Sequence, residues 1–302
     1  MAAQQSAGRA LDGAGLMKRV IAGMGRLWPG VSVALSGLLF GSALQAGCGP
    51  LADACQIDGG DYHIVLPDTG DEKALPAVMF LHGYGGSGEA ALRNRAMVDG
   101  LNDRGYAVIA PTALPRNPGA PRSWAFLPDF GGRDESAFFE AVLADAEHRF
   151  NIDRKSVVLS GFSAGAFMVS YLACATPDQF AAYATIAGSF WRPQPESCTG
   201  PVRLMHTHGW RDEVVPLEGR YLGNRRFQQG DIFAGLELWR DTNGCTTHAP
   251  SHSGSEGGTL RRRWACGTGA DIDVVLFDGG HRVPEGWAAW LADWFEDRPL
   301  SQ

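Results

Sequence analysis

The sequence predicts an α/β fold built on a mostly parallel, doubly wound sheet. Short, almost uninterrupted apolar runs recur along the chain, and segments with helical periodicity lie between them. Continuous apolar strands are typical of a sheet that helices cover on both faces, and their alternation with helices is typical of this class. We therefore expect ligands to bind beyond the carboxyl ends of the strands.

Six apolar runs are the predicted strands, and all but the second end in glycine: 77–83, 106–112, 156–161, 181–188, 202–209 and 272–280. The predicted helices are 89–105, 134–150, 163–175 and 287–295. Asp134 is the expected N-cap of the second helix. The last helix places Trp287, Trp290 and Trp294 on one face, which indicates core packing. The segment Ser251–Gly258, rich in serine and glycine, is predicted to be a surface loop.

Residues 17–46 have the pattern of a secretory signal peptide. Lys18, Arg19 and Arg26 precede an apolar stretch at 31–40, and "SALQA" ends at the expected cleavage site, Ala46. The apolar stretch is shorter than the roughly 20 residues that span a membrane; a retained anchor or a buried helix is the alternative. We predict a signal peptide over 1–46, whose start is Met1 or Met17, and a single catalytic domain over 47–302.

The charge and the cysteines restrict the partners and the compartment. The net charge of −7 disfavours nucleic acid as a partner. Six cysteines follow the predicted cleavage site, and an even number in an exported chain suggests disulfides. Several pairings are possible, and proximity in sequence favours Cys48–Cys55, Cys174–Cys198 and Cys245–Cys266. A metal site is the competing interpretation, but no C-x-x-C or histidine-rich spacing supports it.

A serine flanked by two glycines stands where the third predicted strand meets a helix, in the segment Gly161-Phe162-Ser163-Ala164-Gly165. This G-x-S-x-G pattern is weak alone in a chain with 40 glycines, but its position is that of a nucleophile elbow. An acid and a histidine should then follow in that order after later strands. Asp212 and His281 do so, and Glu213 is the rival acid.

The glycine-rich loop 82–88 after the first predicted strand could supply one donor of an oxyanion hole. We expect the backbone N–H groups of Tyr84 and Ala164 to be the two donors. An ordinary glycine turn is the alternative. His206 and His208 lie in a predicted strand, where a core or hydrogen-bonding role is expected rather than catalysis.

The motifs "FLHGYGGSG", "GFSAGAFM", "IAGSFW", "HGWRDEVVP" and "GGH" resemble the poly(3-hydroxybutyrate) depolymerase-type esterases, relatives of feruloyl and acetyl-xylan esterases in the α/β-hydrolase superfamily. The resemblance extends from Cys48 to Trp294. It implies secreted or periplasmic ester hydrolysis without a metal or organic cofactor, with Ser163 as nucleophile, Asp212 as acid and His281 as base. Trp210 stands where smaller residues are common in the family, which suggests a narrower pocket mouth.

The leading hypothesis is an exported serine esterase acting on small or oligomeric hydroxyalkanoate, feruloyl or acyl esters. A serine peptidase of the same superfamily and a non-catalytic binding protein are the rivals. Trp124, Trp191 and Trp210 lie near strand ends and are candidate pocket residues, with core packing as the alternative. The ester and the oligomeric state are left open.

Overall fold

The structure is a computed structural model, and it describes residues 47–49, 51–70, 73–127, 130–267 and 269–296. The predicted signal peptide, 1–46, lies outside the described residues. The strands are β1 Cys55–Ile57, β2 Gly60–Val65, β3 Leu75–Leu81, β4 Ala107–Pro111, β5 Ile152–Phe162, β6 Ala182–Ile186, β7 Leu204–Gly209, β8 Tyr221–Leu222, β9 Phe227–Gln228, β10 His252–Glu256, β11 Thr259–Trp264 and β12 Ile272–Phe277. The helices are α1 Gly88–Leu92, α2 Arg95–Asn102, α3 Glu135–Phe150, α4 Ala164–Ala175, α5 Ile232–Thr242 and α6 Trp287–Phe295.

Ten strands form one sheet in the order β1-β2-β4-β3-β5-β6-β7-β12-β11-β10, and β8 pairs with β9 separately. The six predicted strands correspond to β4, β3, β5, β6, β7 and β12, which are consecutive in the sheet and pair in parallel. Antiparallel strands extend the sheet at both edges. The predicted α/β class and the mostly parallel sheet are therefore confirmed.

Helices cover both faces of the sheet. Buried side chains of α3, α4 and α5 pack in one apolar cluster, and those of α2 and α6 pack in the other. Trp287 and Trp294 are fully buried and Trp290 packs against the same cluster, as the apolar stripe predicts. Asp134 caps α3 as predicted, because its side chain accepts a hydrogen bond from the Ala137 N–H at 3.0 Å.

Two local predictions were wrong. The predicted helix 89–105 is divided into α1 and α2, because the Asn94 side chain accepts a hydrogen bond from the Met97 N–H and begins a new helix. The predicted loop 251–258 contains β10, which forms a hairpin with β11 through a turn at Gly257 and Gly258. Both glycines have positive φ, which explains why such a turn contains them.

The structure contains the three disulfides that proximity in sequence favoured. Cys48–Cys55, Cys174–Cys198 and Cys245–Cys266 have Cα–Cα distances of 4.7, 4.5 and 4.2 Å. The second bridge joins the end of α4 to the segment that follows β6. It therefore restrains the helix that begins directly after Ser163.

Helix α4 lies unusually close to the strands beneath it, and two glycines permit this approach. A Cβ atom at Gly165 would lie 2.1 Å from the Leu81 carbonyl oxygen at the end of β3. A Cβ atom at Gly161 would lie 2.5 Å from the backbone of Gly165. Both distances are far below van der Waals contact, so neither position can hold a larger residue without a backbone shift.

Replacing Gly165 tests this close packing. Gly165→Ala should lower the free energy of unfolding by about 3 kcal/mol, because the methyl group must displace α4 from β3. Chemical denaturation followed by circular dichroism measures the loss. Gly254→Ala is the matched control: Gly254 lies in an edge strand, its nearest neighbour would be 3.5 Å from the added Cβ, and the change should be within about 0.5 kcal/mol. Equal stabilities of the two variants would contradict the packing argument.

Candidate active site

Ser163 stands alone between the last residue of β5 and the first residue of α4. Its backbone has φ 56° and ψ −115°, a strained conformation for a residue other than glycine. Its N–H donates to the Ile186 carbonyl oxygen at 2.9 Å, which anchors the turn to the end of β6. A sharp strand-to-helix turn of this kind places the side chain beyond the carboxyl end of the sheet.

Asp212 and His281 come together because the strands that precede them are parallel neighbours. Gly209 at the end of β7 pairs with Phe277 at the end of β12. Beyond that pair the two loops stay bonded, with the Arg211 N–H donating to the Gly279 carbonyl oxygen at 2.9 Å. The His281 Nδ1 atom then lies 2.7 Å from Asp212 Oδ2.

The His281 imidazole also lies beside the serine turn. Its ring centre is 4.6 Å from that of Phe162, the residue before Ser163. The structure therefore brings the three predicted residues to one end of the sheet. Glu213, the rival acid, is exposed, and among the described residues the imidazole pairs with Asp212 and not with Glu213.

The Asp212 carboxylate is buried, and hydrogen bonds from the protein satisfy both of its oxygen atoms. Oδ1 accepts from the N–H groups of Val214 and Val215 at 2.9 and 2.8 Å, while Oδ2 accepts from His281. Burial raises the pKa of the Asp212 carboxyl, but the hydrogen bonds from His281 and Val215 outweigh burial and hold this pKa below its usual value. The group is therefore a carboxylate near neutral pH.

A chain of buried histidines lies behind Asp212. His208 Nε2 is 2.8 Å from the Val215 carbonyl oxygen, His206 Nε2 is 3.2 Å from His208 Nδ1, and Thr185 Oγ1 is 2.8 Å from His206 Nδ1. A carbonyl oxygen can only accept, so His208 carries its proton on Nε2 and accepts on Nδ1. His206 then donates from Nε2 and accepts from the Thr185 hydroxyl.

Every donor in this chain points toward the turn that holds Asp212. Burial lowers the pKa of both His206 and His208, which keeps the two rings neutral and the direction of the chain unchanged. His208 binds the carbonyl of Val215, whose N–H donates to Asp212. The sequence prediction of a hydrogen-bonding role for these histidines is thus confirmed, and the chain explains it.

The loop predicted to supply an oxyanion donor lies against Ser163. A Cβ atom at Gly83 would be 3.5 Å from Ser163 Cβ. Burial lowers the pKa of His82 to about 4, so this ring is neutral; Nε2 accepts from the Ala113 N–H and Nδ1 donates to the Gly83 carbonyl oxygen. The N–H of Ala164 belongs to the first turn of α4, where no carbonyl of the helix can accept it.

A cavity of about 450 Å³ opens beside Ser163, Ala164 and Tyr84. Trp191 lines it, as predicted. Trp124 does not, and this prediction was wrong: the side chain is fully buried, and its Nε1–H donates to the His82 carbonyl oxygen, so Trp124 supports the loop from below. Trp210 is 47% exposed and is not among the described residues that line the cavity, so its prediction as a pocket residue was wrong as well; the narrower pocket mouth stays a prediction.

Four phenylalanines that the sequence analysis missed form much of the cavity wall: Phe126, Phe130, Phe167 and Phe227. They come from a loop, a helix and a short hairpin that lie far apart in sequence, so no local pattern indicates that they meet. Within the described ranges, no group of His, Cys, Asp and Glu side chains could hold a metal ion. Likewise, none of the described helices has the length and apolar character needed to cross a bilayer.

Known proteins resemble this chain in both sequence and fold. A family profile described as phospholipase/carboxylesterase matches residues 65–229, more than half of the chain. A probable feruloyl esterase C of Aspergillus terreus is 29% identical over 83% of this chain and 88% of its own length. Feruloyl esterase C of Emericella nidulans is 29% identical over 78% of this chain and 82% of its own length.

Solved structures with a similar fold also include an esterase. An acetyl xylan esterase structure from Aspergillus awamori superposes with a TM-score of 0.59 at 16% identity and covers 84% of this chain and 99% of its own. At that identity the likeness concerns the fold alone.

Substitution of His208 tests the histidine chain. His208→Ala removes the donor to the Val215 carbonyl and should lower kcat for a p-nitrophenyl ester about tenfold, since the Asp212 turn loses its support. KM should change little, because His208 does not line the cavity. His208→Gln retains an N–H donor and should restore most of kcat. If both variants stayed folded and lost kcat equally, the donor would not be what positions Asp212.

Proposed function

Because this chain belongs to the phospholipase/carboxylesterase family of α/β-hydrolases and is therefore a carboxylic-ester hydrolase, we propose that it cleaves its ester through a triad of Ser163, Asp212 and His281. The observation that supports this most strongly is the 2.7 Å contact between His281 Nδ1 and Asp212 Oδ2 beside a strained serine turn. In that contact His281 Nδ1 donates its proton to the carboxylate, so Nε2 is the nitrogen that remains for proton transfer.

In the proposed reaction, His281 Nε2 takes the proton of the Ser163 hydroxyl as its oxygen attacks the ester carbonyl carbon. The charge on the tetrahedral intermediate moves to the carbonyl oxygen, which accepts hydrogen bonds from the N–H groups of Ala164 and Tyr84. The imidazolium then protonates the leaving alcohol, and an acyl-enzyme forms. Water then attacks that ester and gives a proton to His281; the imidazolium returns this proton to the Ser163 oxygen as the acid leaves.

Asp212 stabilises the imidazolium without taking its proton. Its low pKa suits this task, because the group remains negative while the histidine gains and loses charge.

The proposed substrates are small or oligomeric carboxylic esters with an acyl or aromatic group that fits the cavity of about 450 Å³. Feruloyl esters are among them, as the names of the relatives suggest. Three disulfides support export to an oxidising compartment. The rival peptidase activity has no observation in its favour, and a non-catalytic binding protein would have no use for the strain at Ser163.

Replacing the nucleophile is the direct test of the triad. Ser163→Ala should reduce hydrolysis of p-nitrophenyl butyrate by about 10³-fold or more while the protein stays folded. A fluorophosphonate probe should label Ser163 in the wild-type protein, as peptide mapping by mass spectrometry would show. Undiminished turnover in the variant, or labelling at another residue, would remove Ser163 from the mechanism.

Substitutions of the two neighbouring acids distinguish a specific role of Asp212 from a general effect of negative charge. Asp212→Asn should lower kcat by about 10²- to 10⁴-fold, because the amide cannot stabilise the imidazolium. Glu213→Gln is the matched control and should change kcat less than about twofold, since Glu213 is exposed. Steady-state rates of both variants on one ester decide the assignment, and a larger loss in Glu213→Gln would reverse it.

A further inference from the structure

The cavity beside Ser163 is cationic although the chain as a whole is acidic. Arg116 and Arg220 line it, and none of the described residues that line it is an Asp or a Glu. The chain nevertheless has a net charge of −7. The positive charge of Arg116 and Arg220 is therefore a local property of the cavity and does not follow from the overall composition of the protein.

Arg116 is an exposed residue of the cavity wall, and its guanidinium stacks on an aromatic ring. Its guanidinium carbon lies 3.4 Å from the centre of the Phe130 ring. Within the described part of the chain, it forms neither an ion pair nor a hydrogen bond with a carboxylate. Burial lowers the pKa of Arg116, and Tyr84 is the group that opposes this shift.

Arg220 is also an exposed residue of the cavity wall, and it lies next to Gln229. The Gln229 N–H donates to the Arg220 carbonyl oxygen at 2.9 Å, so the two residues are neighbours across the short hairpin. Gln229 also lines the cavity and is only 4% exposed, yet its Oε1 atom has no hydrogen-bond partner in the described structure. That oxygen is an acceptor and cannot bind an anion, so the positive charge of Arg220 is what this part of the wall offers to a carboxylate.

Trp191 lies next to Gln229 in the same wall. It forms a β-bridge with Gln229 and lines the cavity, and its Nε1–H is buried without a partner among the described residues. Two guanidinium groups, each a positively charged donor, thus line the cavity that holds Ser163. A carboxylate, which only accepts and carries the opposite charge, matches such a set.

We propose that this cavity binds esters that carry a carboxylate remote from the scissile bond, with Arg116 and Arg220 as the residues that select for it. This proposal rests on the proposed function, since it places the selective charges in the same cavity as the nucleophile. The chemical class is that of half-esters of dicarboxylic acids and of oligomeric esters with a free acid end.

The first experiment compares matched substrates. The ratio of kcat/KM for mono-p-nitrophenyl adipate to that for its neutral methyl ester should exceed one in the wild-type protein. It should fall about fivefold in Arg116→Gln and in Arg220→Gln, and 0.5 M salt should lower it too. Arg116→Lys, which keeps the charge, should retain more of the ratio than Arg116→Gln. The pair 4-carboxyphenyl and 4-(methoxycarbonyl)phenyl butyrate tests a carboxylate on the alcohol side.

Arg225→Gln is the matched control, because its guanidinium lies over Tyr221 at 5.0 Å and Arg225 does not line the cavity. Its ratio should equal that of the wild-type protein. Ratios that stay unchanged in Arg116→Gln and Arg220→Gln for both substrate pairs, while the neutral esters are still hydrolysed, would overturn the proposal and leave the proposed function intact.

A binding measurement separates the two proposals completely. Ser163→Ala protein should bind monomethyl adipate more tightly than dimethyl adipate in a calorimetric titration, and Arg116→Gln should remove most of that difference. This readout needs no turnover, so a protein that hydrolyses neither ester still tests the anion site. Equal affinity for the charged and neutral compounds would overturn the proposal.

Discussion

The close approach of α4 to β3 and β5 is the constraint on which the rest of the site depends. With no side chain at Gly165, the helix comes within van der Waals contact of the Leu81 carbonyl, and the chain must then turn sharply at Ser163. That turn stores backbone strain, which persists because the buried helix and strand on either side determine the conformation. It also places the first N–H groups of α4 and the loop after β3 around one point. The strain and the donors therefore share one cause.

The second requirement is the parallel register of β7 and β12. Each strand contributes one member of the acid–histidine pair, and their ends are level because Gly209 pairs with Phe277. A Cβ atom at Gly209 would lie 2.4 Å from the Gly279 carbonyl oxygen, so this glycine lets the two loops touch. The neutral histidine chain then fixes the turn of Asp212 from the interior side. The buried histidines thus orient the Asp212 carboxylate, while the N–H groups of its own loop stabilise its charge.

The parallel strands and the triad candidates could be predicted from the sequence because local signals specify them. A buried parallel strand is continuously apolar, and a glycine marks its end, so Ser163, Asp212 and His281 each stand next to such a signal. The edge strands could not be predicted in this way: β10, with the sequence "HSGSE", gains its structure from pairing with β11 and has little apolar character of its own. Trp124 was misassigned because a tryptophan near a strand end has the same local pattern whether it lines a cavity or supports a loop.

The cavity walls could not be predicted from local sequence patterns either, for a related reason. Phe130, Trp191 and Phe227 meet with ring centres 5.5 to 5.8 Å apart, yet they come from the loop before α3, the segment after β6 and the short β8–β9 hairpin. Such connections are free to vary without disturbing the sheet, since none of them carries a strand pairing of the ten-stranded sheet. On the proposed function, the scaffold positions the triad, and the connections form the wall that selects the ester. The charges that we propose as selective, Arg116 and Arg220, lie on that wall, so substrate preference could change while the geometry of the proposed triad stays the same.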